Sequence, residues 1–181
     1  MTPIEILKHE HEVILMVLDA AQREAETLGA TATVDAERIR KFLDFFRNFA
    51  DRCHHAKEEN HLFRRMIERG FPSEAGPIAV MLADHDQGRA YLKAVEQSLP
   101  AASGGDESAV GAISGHLREY VDLLRQHIDK ENNVLYVMAD QILAEQDQSE
   151  LSEAFDRVEA EEMGEGTHEK FHRLAHELAG Q

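Results

Sequence analysis

The sequence predicts an all-α protein: an up-down-up-down four-helix bundle followed by a short C-terminal helical extension. Three observations predict it. Apolar residues recur at helical spacing along nearly the whole chain, and no window of strict alternation is long enough for a strand. The 181 residues contain only 4 Pro, few enough to allow long helices. The breaks between periodic segments are short, which favours antiparallel neighbours around one shared core.

Each element has its own signals. The first helix is expected over about residues 3–28, with Pro3 at a favoured first position and Gly29 as its stop; its apolar stripe reads Ile4, Leu7, His11, Ile14, Leu18, Ala21, Ala25. A second, about residues 35–69, is stopped by Gly70 and Pro72 and has the stripe Ile39, Leu43, Phe46, Ala50, His54, Glu58, His61. The third, about residues 73–99, reads Ile78, Met81, His85, Gly88, Leu92, Val95, Leu99, and residues 100–106 form a flexible connection. The fourth, about residues 107–146, reads Val110, Ile113, Leu117, Tyr120, Leu124, His127, Glu131, Val134, Met138. Ser149 is the expected cap of an amphipathic helix over residues 151–163, Gly164 and Gly166 break it, and Thr167 is the expected cap of a last helix to about residue 178. The domain expectation is a bundle over residues 1–146, with residues 147–181 packed on it as an extension.

Composition narrows the function. With 43% hydrophobic and 30% charged residues the chain can bury a core under a soluble surface. Its 19 Lys+Arg against 35 Asp+Glu leave a formal charge of −16, which repels phosphate backbones and anionic membranes, so nucleic-acid and membrane partners are not expected. No apolar run is long enough to span a bilayer, and no export signal is visible. A single Cys53 allows neither an internal disulfide nor a Cys-based metal site, which fits a reducing cytoplasm.

The 11 His carry the functional question. Every stripe that should face the interior is interrupted by one: His11, His54, His85 and His127. A buried imidazole or carboxylate costs several kcal/mol unless it is paired or metal-bound, so a core does not accept such groups at random. His54 and His127 are each followed four residues later by a carboxylate, Glu58 and Glu131. Four residues rise ~6 Å and return to nearly the same helix face, so each HxxxE pair points two donors into one volume. Six donors exceed what one tetrahedral zinc uses, whereas two metals with bridging carboxylates use all of them. A nitrogen-and-oxygen set without thiolate suits iron or manganese, with zinc or copper competing on affinity.

The segments His9-Glu-His-Glu-Val-Ile14, His54-His-Ala-Lys-Glu-Glu-Asn-His-Leu-Phe63, Asp84-His-Asp86 and His127-Ile-Asp-Lys-Glu-Asn-Asn-Val-Leu-Tyr136 resemble those of the hemerythrin-like HHE cation-binding family over roughly residues 1–145. The resemblance implies two non-haem iron ions, bridged by oxo or carboxylate groups. It implies the ligands His11, His54, Glu58, His85, His127 and Glu131, with Glu58 and Glu131 as the bridges. Oxygen-carrying hemerythrins have a second His where this chain has Arg89, and HxxxxD where it has HxxxE. The four-His, two-Glu set is more similar to bacterial proteins that repair iron centres after nitrosative stress, and to iron-sensing hemerythrin domains. Those repair proteins also carry a separate N-terminal module with cysteines, which is not expected here.

Other residues are weighed beside these. HxxxE could be read one residue later, as His55 with Glu59; His54 with Glu58 is favoured because it continues the Phe46/Ala50 stripe. His61 is an outer hydrogen-bond donor or a rim residue; Tyr120 is core packing or a redox participant; Gly88 leaves room for a ligand or allows close helix packing. His116 is expected at the bundle end and His9 in solvent. His168-Glu-Lys-Phe-His172 matches the HExxH zinc pattern, but no third ligand follows at suitable spacing. His168, His172 and His176 are therefore expected as a solvated stripe opposite Phe171, Leu174 and Leu178. The leading functional expectation is a di-iron protein that binds or turns over O2, NO or peroxide. Its alternatives are an iron-sensing or iron-storing module, an iron-centre repair protein, and a purely structural bundle.

Overall fold

The computed structural model describes residues 1–164 and 166–180, and these form six helices: α1 (Pro3–Thr31), α2 (residues 36–68), α3 (Gly76–Ser103), α4 (residues 107–142), α5 (residues 145–163) and α6 (Thr167–Ala179). Side-chain caps explain three of the starts. Thr2 Oγ1 accepts from the Glu5 amide while Glu5 accepts from the Thr2 amide, with Pro3 at the first helical position. Asp35 accepts from the Glu37 and Arg38 amides, and Asp106 from those of Ser108 and Ala109. Gly70, at φ 101°, turns the chain out of α2.

Helix ends depart from the sequence expectation where a buried contact outweighs local propensity. α1 runs past Gly29 to Thr31 and closes on Ala32 in the left-handed region. α3 continues through Pro100 to Ser103, because Ala102 is buried against the core. α4 stops at Ile142, where Leu143 becomes extended. α5 starts at Glu145 and not at residue 151: Asp147, rather than Ser149, caps it by accepting from the Ala144 amide at 2.9 Å. Thr167 is the first residue of α6, and Gly166 holds the cap position.

α1 packs on α4, α4 on α3, α3 on α2 and α2 on α1, closing a ring of four. The apolar interior falls into two clusters. One joins the C-terminal parts of α1 and α3 to the N-terminal parts of α2 and α4, with Val17, Phe42, Phe46, Val95 and Leu117 among its members. The other joins the opposite ends through Leu7, Leu62, Met81 and Leu135. That pairing of ends makes the bundle up-down-up-down. α5 and α6 lie along its α1/α2 side: α6 buries Phe171, Ala175 and Leu178, while Phe155 of α5 joins the second cluster. Burial of each large side chain contributes roughly 1.5–3 kcal/mol. Among the described residues, no helix is long and apolar enough to cross a membrane.

Three helices are interrupted by wider π-helical turns: Phe46–His55 and Glu58–Leu62 in α2, Glu131–Leu135 in α4, and Val158–Met163 in α5. Such turns are frequent at functional sites. Those in α2 contain His54, His55 and Glu58, and the one in α4 begins at Glu131.

Candidate metal centre

Between the two clusters lies a buried polar layer. His11 comes from α1, His54 and Glu58 from α2, His85 from α3, and His127 and Glu131 from α4, each at most 1% exposed. The structure thus brings together all six residues singled out in the sequence. Glu58 Oε2 lies 3.7 Å from His54 Nε2 and 3.4 Å from His85 Nε2. Glu131 lies 3.2 Å from His11 Nε2 through one oxygen and 3.2 Å from His127 Nε2 through the other. Each carboxylate therefore faces two imidazoles carried by different helices.

His54 Nε2, Glu58 Oε2 and both Glu131 oxygens are buried without a hydrogen-bond partner. Leaving such groups unpaired costs about 1–3 kcal/mol each, and more when they are charged, so a cation is the missing partner that fits them. Their spacing fits as well. With metal–donor bonds of roughly 2.0–2.2 Å, neighbouring donors on one ion lie about 3–3.5 Å apart, and the His85 and His127 Nε2 atoms are 3.1 Å apart. Two groups able to hold a metal result, His11/His54/Glu58/Glu131 and His55/Glu58/His85/His127, sharing Glu58.

The outer ring nitrogens are held in turn. Nδ1 of His11 donates to Asn132 at 2.9 Å, that of His54 to Glu10 at 2.8 Å, and that of His85 to Glu59 at 2.7 Å. These contacts select the tautomer that leaves Nε2 facing inward. Tyr136 was missed in the sequence reading; its buried hydroxyl donates to Glu58 Oε1 at 2.6 Å and its ring stacks on His11. A buried phenol needs a polar partner, which is the one signal that could have flagged it.

Charges in the layer are balanced pairwise. Burial alone lowers the pKa of His127, but Glu131 and Asp84 outweigh it and raise it to about 10. Burial raises that of Glu131, yet His127 and His11 hold it well below the ordinary carboxylate range. Glu10, against the effect of burial, is held at about 2 by His54 and Lys57. The Lys57 ammonium is wholly buried between Glu10 and Glu159, the latter at 2.6 Å from α5. Glu10, Glu159 and His168 form a third group able to hold a metal, but Lys57 already serves its two carboxylates as counter-ion.

The profile of the hemerythrin HHE cation binding domain matches residues 2–139, a stretch that includes all six residues. The chain belongs to the hemerythrin HHE cation-binding family. Among curated relatives of this HHE domain are the iron-sulfur cluster repair proteins YtfE of Escherichia coli O1:K1 / APEC and of Escherichia fergusonii. Each is 36% identical over 135 residues, covering 73% of this chain and 60% of the relative. The chain thus spans about three-fifths of the length of these relatives. No solved structure matches it.

The remaining candidates of the HHE domain sort by packing. Both His54 and His55 enter the polar layer, whereas Glu59 points outward to His85 and Arg89. Tyr120 packs on Phe46, and a Cβ on Gly88 would meet its ring at 3.4 Å, so Gly88 serves close helix packing. His61 is half-buried at the rim beside Phe155. His9 is exposed, and His116 lies half-buried against Glu119. The expected solvated stripe on α6 is corrected: His168 and His172 are half-buried against Phe49, and only His176 is exposed. Phe49 sits on the π turn of α2, which broadens the surface that α6 covers.

Proposed function

We propose that this chain is a non-haem di-iron protein serving the repair of damaged iron centres, with His11, His54, Glu58, His85, His127 and Glu131 holding the two ions. The bundle domain, residues 1–146, carries this chemistry, and residues 147–181 form an extension laid against α1 and α2. One observation carries the metal reading: two buried carboxylates each face imidazoles from two helices, with oxygens that have no other partner. The repair assignment rests on the iron-sulfur cluster repair proteins that share 36% identity with the chain. Manganese or zinc could occupy the same donors, since imidazole and carboxylate suit several first-row ions.

When bound, a pair of irons supplies a redox change and a Lewis-acid site for a small ligand. The protein's own residues do the rest. Glu58 belongs to both donor groups and Glu131 faces His11 and His127 across them, the Nδ1 partners hold the imidazoles, and the apolar clusters above and below keep bulk water from the layer. Tyr136 orients Glu58 by donating to its Oε1 and places its hydroxyl oxygen 3.4 Å from His11 Nε2. That hydroxyl favours a second reading, the binding or turnover of O2, NO or peroxide.

Anaerobic ferrous titration with metal analysis tests the metal reading: about two irons per chain are expected, and one zinc with no iron uptake overturns it. A [4Fe–4S] enzyme inactivated by NO or peroxide then tests the role. Recovery with the iron-loaded chain, and none with the Glu58→Ala variant, supports repair. Oxidant consumption without recovery supports the second reading, and neither outcome leaves an iron-sensing or iron-storing module.

A further inference from the structure

We propose that His55 is a seventh donor to the metal pair, a third imidazole on the His85/His127 side, so that the two ions sit in unequal surroundings. The inference deepens the di-iron reading above and rests on it. His55 is only 5% exposed, and one of its ring nitrogens lies within 4.8 Å of donor atoms from Glu58, His85 and His127.

Its outer contacts carry the argument. His55 Nδ1 meets Asp51 at 3.3 Å, as Nδ1 of His54 meets Glu10, that of His85 meets Glu59, and that of His127 meets Asp84 at 3.4 Å. Each of these four carboxylates is backed by a cation. Lys57 holds Glu10, Lys130 holds Asp84 at 2.6 Å, and the Arg89 guanidinium spans Asp51 and Glu59 at 2.7 Å each. A carboxylate behind Nδ1 is the arrangement that orients metal-binding imidazoles and raises their basicity. His55 thus shares the wiring of three of the sequence-predicted ligands, down to the supporting cation; its ring stacks on that of His85 at 3.8 Å, so joint binding of one ion requires the two rings to turn apart.

Both neighbours lie on the π-helical turn over Phe46–His55, whose wider winding leaves a smaller angle between them. On a regular α-helix His54 and His55 would diverge by about 100°. The resulting groups are unequal: His55, His85 and His127 face Glu58 on one side, and only His11 and His54 face the carboxylates on the side of Tyr136. Arg89 is then a positioning residue for the three-imidazole side, because it holds the acceptors of both His55 and His85.

The test is anaerobic titration of the full chain with ⁵⁷Fe(II), read by metal analysis and Mössbauer spectroscopy, for wild type, His55→Ala, His55→Gln and Arg89→Ala. Wild type should show two irons in two distinct environments. His55→Ala should weaken one iron by at least ~10-fold while sparing the other, with added imidazole restoring it, and Arg89→Ala should weaken the same iron. His55→Gln, which can keep the Asp51 contact, gives the reading if the alanine variant loses its helical circular dichroism. Two irons bound by the His55 variants with unchanged affinity and spectrum overturn the inference while leaving the di-iron reading intact. A wild-type chain that takes up no iron pair overturns the di-iron reading instead, and this one with it.

Discussion

Glu58 and Glu131 have no substitute on their own helix faces, and that sets the first prediction. Glu58→Ala or Glu131→Ala should lose at least one metal on anaerobic loading, because each carboxylate faces two imidazoles from different helices. Asp129→Ala should bind as wild type does, since Asp129 is exposed and bonds only Asn133. Glu59→Ala should fall between, weakened roughly 10–100-fold, because Glu59 accepts from His85 Nδ1. Equal metal affinity in the Glu59 and Asp129 variants would count against the outer carboxylates having a role. At this scale the convergence of the six buried residues was legible because imidazoles and carboxylates on an apolar stripe are costly to bury without a purpose. The burial of His55 beside His54 was not, since a regular helix places it off the stripe and it was weighed only as the alternative HxxxE register. Cys53 gives a second residue-level expectation. It is 2% exposed, and burial, reinforced by Glu10, pushes its thiol up to about 12. Thiol reagents at pH 8 should therefore leave it unmodified in the folded chain and label it only after unfolding.

The helices were legible to within a few residues wherever a local group makes the boundary, as Thr2 with Glu5, Asp35 and Asp106 do. The start of α5 was not, because its cap depends on partners distant in the sequence. Asp147 has no exposed surface, accepts from the Ala144 amide, and is held by Arg65 and Arg69 from the end of α2. Nothing in the 145–163 stretch alone distinguishes it from Ser149 as the capping group. The π turns were hidden for a related reason: the stripe spacing of four residues from Phe46 to Glu58 reads equally as an ordinary helical repeat. Asp147→Ala should cost about 1–3 kcal/mol, because it removes the acceptor shared by Arg65 and Arg69, both partly exposed, and leaves α5 without its cap. Limited proteolysis should then cut near residues 143–150 before the bundle itself is attacked. Unchanged cleavage there would mean that α5 is held by Phe155 and the Lys57–Glu159 pair alone.

Across the whole molecule, one polar layer separates two apolar clusters, so the stability of the bundle depends on what occupies that layer. Metal should stabilise the fold by mass action: an ion at a hundred times its dissociation constant contributes about 2.7 kcal/mol, or roughly 5–10 °C for a chain of this size. The pH dependence has a definite sign. In the metal-free protein His127 is raised from 6.5 to about 10, chiefly by Glu131 working against burial. A raised imidazole contributes stability that is fully present below the unfolded value of 6.5 and is lost as pH rises through about 10. Metal requires the same nitrogen unprotonated, so its affinity climbs over that interval, while protons compete on every imidazole as pH falls towards ~6. The two effects act together: metal-free protein weakens with rising pH as the loaded form gains. Melting temperatures with and without chelator should therefore separate progressively from pH 6 to pH 9, and the gap should shrink on the acid side. A gap that stays constant or narrows with rising pH would remove His127 from the ion's donors. Equal melting temperatures throughout would leave a bundle in which imidazoles and carboxylates satisfy only one another, and the orphaned oxygens of Glu58 and Glu131 make that the less favourable arrangement.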